Sequence, residues 1–288
     1  MLDIIQAKKR AKSAGEPIYL PFDCFANNQL FIRRSQLTMI AGGPGTGKSA
    51  LVQYICQQGD SEGNRNSVFY FSADSDAGTM INRAGAIATG WDQFYVDQQL
   101  HGDEHQQDAV RKKIRDATEH IRWSFTSNVE DWAIEDELAG YHAIYGSYPE
   151  VIVVDNLKDL HISDTEGEFQ ALEAACMFLH EIAKETGAAV IVTHHVMGNE
   201  ERGDKPIGID GIRGKVTKTP ECVITLHRVG NVMNVSPVKN RSGIADTTGN
   251  RFYSLDMNLA NMQFRDMPPP VSNFQGTGFS NTTLGDRQ

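Results

Sequence analysis

The run Gly42-Gly43-Pro44-Gly45-Thr46-Gly47-Lys48-Ser49 constrains this chain more than any other stretch. It is a complete G-x-x-x-x-G-K-[ST] loop, and its flanks supply the context that gives the pattern meaning. Leu37 to Ala41 is an apolar run that predicts a buried strand, and Ala50 to Cys56 carries a helical pattern ended by Gly59. Between strand and helix, glycines let backbone N–H groups turn inward around a phosphate, and the helix dipole favours its charge. Gly42, Gly43, Pro44, Gly45, Thr46, Gly47, Lys48, Ser49 and Ala50 are the expected cradle. Lys48 is expected to reach the β- and γ-phosphates, and the Ser49 hydroxyl to ligate Mg²⁺. The competing reading is a glycine-rich turn that matches by chance. The complete motif in this context implies a bound nucleoside triphosphate.

Val151-Ile152-Val153-Val154-Asp155 is the second signal. Many buried strands end in Asp, so the pattern alone says little. Paired with the loop upstream, it reads as the other half of the site, with Asp155 holding Mg²⁺ through water. Val68 to Ser72 predicts a further strand, ending in Asp74, Ser75 and Asp76 before a helix over Ala77 to Thr89. Carboxylates just past the C-terminal end of a buried strand lie where open α/β sheets put their chemistry. Ala188 to Thr193 is another strand and runs into His194-His195. These histidines suit metal ligation, a core edge, or sensing of a γ-phosphate. No C-x-x-C or H-E-x-x-H pattern accompanies them, which places sensing ahead of metal.

Helices are expected over Asp103 to His120, from Asn128 with Asp131 in a capping box, and over Thr165 to Thr186. The last carries Phe169, Leu172, Cys176, Leu179 and Ile182 on one face, with Gly187 as its C-cap. Met197 to Lys218 is a long loop rich in glycine and charge. Three β-segments follow, near Glu221–Leu226, Val232–Val238 and Arg251–Leu255, and Lys239-Asn240-Arg241 closes the second. The expected organisation is an N-terminal arm over 1–20, an ATP-binding domain over 21–266 and a disordered tail over 267–288, opened by three prolines. A formal charge of −10 excludes a surface coated in basic residues, yet it leaves room for a few basic loops that bind nucleic acid. The four cysteines form no pair at short spacing and are expected as buried thiols. No apolar run approaches a membrane span and no signal peptide is evident, so the expected compartment is the cytoplasm, a host's if the gene is a phage's.

The order of these parts resembles the RecA-like motor core, most closely the C-terminal ATPase domain of DnaB-type replicative helicases and their phage relatives. The stretches that carry it are Gln36–Ser49, Val68–Asp76, Val151–Leu157, Val190–His195, Asp210–Gly214 and Val238–Gly243, within a match over Leu20 to Asp266. The resemblance implies an α/β fold with a mainly parallel central sheet, flanking helices and C-terminal antiparallel strands. It implies ATP and Mg²⁺ as ligands, and a hexameric ring acting on single-stranded DNA with replication or recombination partners. Asp74 stands where the family has the glutamate that polarises the attacking water, a shorter carboxylate. One of His194 and His195 stands for the family's γ-phosphate-sensing glutamine. Lys239 and Arg241 match the Lys-x-Arg finger that acts on a neighbour's nucleotide, and Arg213 lies in the segment matching the D-L-R-G-S turn beside the channel. About twenty residues precede the core, so the family's primase-interacting N-terminal domain has no counterpart, as in stand-alone phage ATPases.

Three functions stay open on the sequence. The first is an ATP-driven helicase-like motor, with Lys158, Arg202, Lys205 and Arg213 gripping DNA phosphates without reading sequence. The second is a recombination or strand-annealing ATPase that does not translocate. The third is a metal-dependent nuclease built from Asp74, Asp76, Asp155, His194 and His195.

Overall fold

The computed structural model describes residues 5–6, 13–127, 129–163 and 165–267 of the 288. The strands are β1 (Leu37–Gly42), β2 (Val68–Ser72), β3 (Ile121–Ser124), β4 (Val129–Glu130), β5 (Val151–Asp155), β6 (Leu160–His161), β7 (Ala189–His195), β8 (Cys222–Val229), β9 (Val232–Asn240), β10 (Tyr253–Asn258) and β11 (Gln263–Asp266). Among the described residues, nine of them make one sheet in the order β11-β10-β9-β8-β1-β7-β5-β2-β3. From β8 to β3 the neighbours run parallel, and from β8 to β11 they run antiparallel. β4 and β6 pair separately as a short parallel ladder.

Burial explains why the central strands were readable. Every residue of β1, β2 and β5 is buried, as parallel strands covered on both faces must be. The helices are α1 (Asp23–Asn27), α2 (Lys48–Gln57), α3 (Ala77–Thr89), α4 (Gln93–Leu100), α5 (Glu104–Thr118), α6 (Asp131–Tyr145) and α7 (Glu168–Thr186). One face of the sheet packs on α2, α3 and α5 through Leu51, Ile55, Met80, Ile87 and Val110. The other packs on α6 and α7 through Ile134, Leu138, Leu172, Leu179 and Ile182. This is the expected α/β architecture with its antiparallel C-terminal edge.

Several boundaries differ from the sequence reading. The helix placed from Asn128 begins at Asp131, because Val129 and Glu130 pair with β6; Asn128 lies outside the described residues. Asp131 is the first residue of the helix rather than its third, and its carboxylate accepts from the N–H of Trp132. The helix placed from Thr165 starts at Glu168 and ends on Gly187 with φ 76, and Phe169 is exposed rather than on the buried face. The helix α4 and the strand β11 were not expected. The arm over 1–20 is described only in part, and the tail over 267–288 lies outside the described residues except for Met267. All four cysteines are free thiols; Cys56, Cys176 and Cys222 are buried, and burial raises the thiols of Cys176 and Cys222 to about 12. No described helix is long and apolar enough to cross a membrane.

Candidate nucleotide and nucleic-acid site

Register brings the chemistry together. Gly42 lies opposite His195 across β1 and β7, and Ser72 lies opposite Asp155 across β2 and β5. The C-terminal ends of four neighbouring strands therefore open onto one edge of the sheet, where a topological crevice holds ligands in such folds. A cavity of about 390 Å³ occupies that edge. Pro44, Gly45, Gly47, Lys48, Ser49 and Ala50 line it, together with Asp74, Asp155, Asn156 and His195.

The loop itself is built by glycine geometry. Gly45 and Gly47 have φ 71 and 98, in the left-handed region where a side chain is strained, and Gly47 leads directly into α2. Thr46 is buried and its hydroxyl donates to the Gly43 carbonyl at 2.8 Å. Lys48 folds back, donating from Nζ to the carbonyls of Gly42 and Gly43 at 3.0 and 3.1 Å. Burial lowers the Lys48 ammonium below its ordinary range, while the nearby carboxylates of Asp155 and Asp74 hold it up. An arriving polyphosphate offers that ammonium more charge than two carbonyls do. Gly42 and Gly43 serve here as acceptors for Lys48 and do not line the cavity.

Asp155 is buried and oriented through both oxygens. The Tyr70 hydroxyl donates to Oδ2 at 3.0 Å, and the Thr193 hydroxyl donates to Oδ1. Ser49 and Asp155 line the same cavity, so this donor set fits Mg²⁺. Among the described residues no three His, Cys, Asp or Glu side chains gather at one point. A bound Mg²⁺ would meet the Ser49 hydroxyl and the Asp155 carboxylate here, with water and phosphate completing its shell. Of the five residues in the nuclease reading, Asp74, Asp155 and His195 line the cavity, and Asp76 and His194 do not. Asp76 is spent capping α3, accepting from the Thr79 N–H at 3.0 Å, and His194 points elsewhere.

Strand alternation separates the two histidines. Thr193 and His195 share one face of β7, and His195 reaches the cavity wall. His194 lies on the other face, fully buried, with its Nε2–H donating to the Arg213 carbonyl at 2.8 Å. Burial lowers His194 to about 4, and it lowers His195 as well, where Lys48 and Lys158 add to the effect. Both shifts favour the neutral ring.

The basic residues fall into two places. Lys158 follows β5 and pairs with Asp159 at 3.2 Å, and Arg213 pairs with Glu168 at 2.7 Å; both lie near enough to His195 to lower its pKa. Arg202 is exposed beside the outer wall of the phosphate loop, and Lys205 is exposed further along the same segment. Lys239 and Arg241 sit at the opposite end of the sheet. The Arg241 N–H bonds to Glu221, whose own N–H bonds to Leu37 at the start of β1, about 17 Å of strand from Gly42. Lys239 Nζ donates to the carbonyls of Thr217 and Lys218, and Arg241 faces Glu221 at 3.6 Å. Neither reaches the cavity of its own chain.

Sequence reasoning missed Thr79, Arg83, Gln93, Leu259 and Met262, which complete the cavity wall. They come from α3, α4 and the β10–β11 turn, and no short motif joins them. Leu259 and Met262 provide the apolar surface that a phosphate loop lacks.

Fold and cavity define a P-loop ATPase with a RecA-like sheet. The chain belongs to the AAA domain family, which it matches over residues 28–201. It is 36% identical over 261 residues to the Gene 65 protein of Mycobacterium phage L5, covering 88% of this chain and 94% of that protein. It is also 36% identical over 239 residues to the Gene 65 protein of Mycobacterium phage D29, covering 80% and 99%. Its fold superposes on a DnaB-like replicative helicase, solved to show its interactions with primase, with a TM-score of 0.75 at 15% identity over 92% of this chain. The chain spans 65% of that helicase's length. It superposes on a second solved protein, an ATPase domain, with a TM-score of 0.73 at 13% identity, over 92% of this chain and 96% of that one.

Proposed function

We propose that this chain is an ATP-hydrolysing motor that works on single-stranded DNA as a ring, in the manner of a phage helicase. The observation that carries the reading is the meeting of Lys48, Ser49, Asp155, Asp74 and His195 around one cavity at the sheet edge. Loops bearing Lys158, Arg202, Lys205 and Arg213 leave the same side of the sheet.

Phosphoryl transfer needs positioning and charge neutralisation more than covalent chemistry. Lys48 binds the β/γ-phosphates, and Ser49 with Asp155 would hold Mg²⁺, which would supply charge neutralisation to the phosphates. Asp74, exposed on the cavity wall and hydrogen-bonded through its N–H to the Asp155 carbonyl at 3.3 Å, orients the attacking water. His195 is the γ-phosphate sensor; His194, held to Arg213, transmits its state to the loop rather than touching nucleotide. Lys239 and Arg241, remote from their own cavity, act on a neighbour's nucleotide, which requires an oligomer, hexameric in this reading. Lys158, Arg202, Lys205 and Arg213 take DNA phosphates.

A forked DNA duplex labelled on one strand tests this with Mg²⁺ and ATP. The motor reading expects an intact displaced strand that disappears with Lys48→Ala. A strand that is bound but never displaced favours a recombination or annealing ATPase instead, a reading supported by the short reach of Asp74. A shortened strand without ATP contradicts both.

A further inference from the structure

A second cavity, of about 330 Å³, lies on the outer side of the phosphate loop. Its walls are Pro44, Gly45 and Thr46 of the loop, Arg202 and Gly203 from the turn after β7, and Arg228 and Gly230 from the end of β8. No aromatic or large apolar side chain lines it, so it lacks the apolar surface of a nucleobase pocket. Two guanidinium groups line it instead.

These two arginines differ from Arg213 and Arg241. Arg213 and Arg241 are each matched to a glutamate. Among the described residues, neither Arg202 nor Arg228 has a carboxylate within ion-pair distance. Arg228 is only half-exposed, and its Nε donates to the Gly230 carbonyl at 2.7 Å, which fixes the fork; among the described residues its terminal nitrogens find no partner. Its backbone N–H donates to the Gly203 carbonyl at 2.6 Å, joining the two arginine-bearing segments. In a chain of net charge −10, a cavity edged by two unpaired guanidinium groups is a local anion site.

The site also touches the ATP-binding loop with no spare room. A Cβ on Gly43 would overlap the Glu201 carbonyl, and one on Gly203 would overlap the Thr46 methyl group. The turn Gly198–Arg202 is thus packed backbone-on-backbone against Gly43. Gly43 therefore packs on this turn and also accepts from Lys48 Nζ, so it joins the turn to the phosphate loop's lysine.

We propose that Arg202 and Arg228 form a second phosphate site, one that takes a phosphodiester of single-stranded DNA and is linked through Gly203 and Gly43 to ATP binding. This rests on the DNA-motor reading and adds to it a defined contact and its coupling to the nucleotide.

The test is anisotropy of a fluorescein-labelled oligothymidine with the full chain, titrated across salt concentrations, for wild type, Arg202→Gln, Arg228→Gln and the double variant. Each lost phosphate contact lowers the slope of log affinity against log salt by about 0.7, so the double variant's slope falls by about 1.4. Its low-salt affinity falls at least tenfold, while Arg202→Lys and Arg228→Lys retain the wild-type slope. In the second arm, saturating oligothymidine changes ATP affinity in wild type and leaves it unchanged in the double variant. Wild-type slope and affinity in the double variant would overturn the site while leaving DNA binding standing. Absence of oligothymidine binding by wild type would instead remove the motor reading itself. Loss of ATP affinity with DNA binding intact would assign the arginines to nucleotide and overturn the proposal.

Discussion

Tyr70 donates its hydroxyl to Asp155 Oδ2 at 3.0 Å from the neighbouring strand, inside the sheet. The phenol is fully buried and its pKa is pushed well up, by burial first and by the Asp155 charge second. It is a permanent donor, and with Thr193 it fixes the carboxylate in one orientation. Tyr70→Phe leaves a buried charged oxygen short of a donor, at a cost of about 1–3 kcal/mol. The urea midpoint should fall with an unchanged m-value, and the Mg²⁺ concentration needed for half-maximal ATP binding should rise. An unchanged Mg²⁺ requirement would reduce Tyr70 to a packing residue.

His194 should make the fold acid-sensitive. Its folded pKa, about 4, lies below the ordinary 6.5, chiefly because burial disfavours the imidazolium. The unfolded chain therefore binds the extra proton between those values, and stability is present above pH 6.5 and lost as pH falls towards 4. The full contribution is about 3 kcal/mol. His194→Gln keeps a donor for the Arg213 carbonyl but cannot titrate. Its stability should fall less than that of wild type over that window, measured by denaturant unfolding from neutral pH down through the folded pKa. Parallel curves for the two proteins would remove His194 as the source of acid sensitivity.

The two histidines show what the sequence could and could not supply. The phosphate loop, Asp155 and the strands around them were legible because each is a contiguous run with its own spacing rule. His194 and His195 are equally polar and adjacent, and only strand alternation, counted from Thr193 against Asp155, tells which faces the cavity. The far wall was illegible for a different reason. Arg83, Gln93, Leu259 and Met262 reach the cavity through tertiary packing. In α4 only Val96 is buried, so the helix has no apolar stripe to read. In β11 only Phe264 is buried, and an edge strand pairs on one side only. The start of α6 failed because Val129 and Glu130 gain strand partners distant in sequence.

Gly43→Ala should impair nucleotide binding although Gly43 does not line the cavity. Its Cβ would collide with the Glu201 backbone, so either the turn or the loop must move. Overpacking of this kind costs about 1–3 kcal/mol. Isothermal titration with a non-hydrolysable ATP analogue should show affinity lowered by at least tenfold. Wild-type affinity would mean the turn yields freely and transmits nothing.

Lys48→Ala and Arg241→Ala should complement one another. Arg241 lies at the far end of the sheet from Lys48, so in the proposed ring the two would belong to different composite sites. Each variant alone should lose ATP hydrolysis by about 10²-fold or more. Mixed protomers pair an intact loop with an intact finger at some interfaces and should recover a measurable fraction of the wild-type rate. A mixture no more active than its components would place Arg241 outside catalysis in trans.

The most direct measurement is phosphate release from ATP with and without single-stranded DNA, for wild type and Lys48→Ala. The account predicts a wild-type rate that rises on adding DNA and a Lys48→Ala rate near background in both conditions. Hydrolysis that survives Lys48→Ala would remove the cavity from the chemistry, and a wild-type rate indifferent to DNA would contradict a DNA-driven motor.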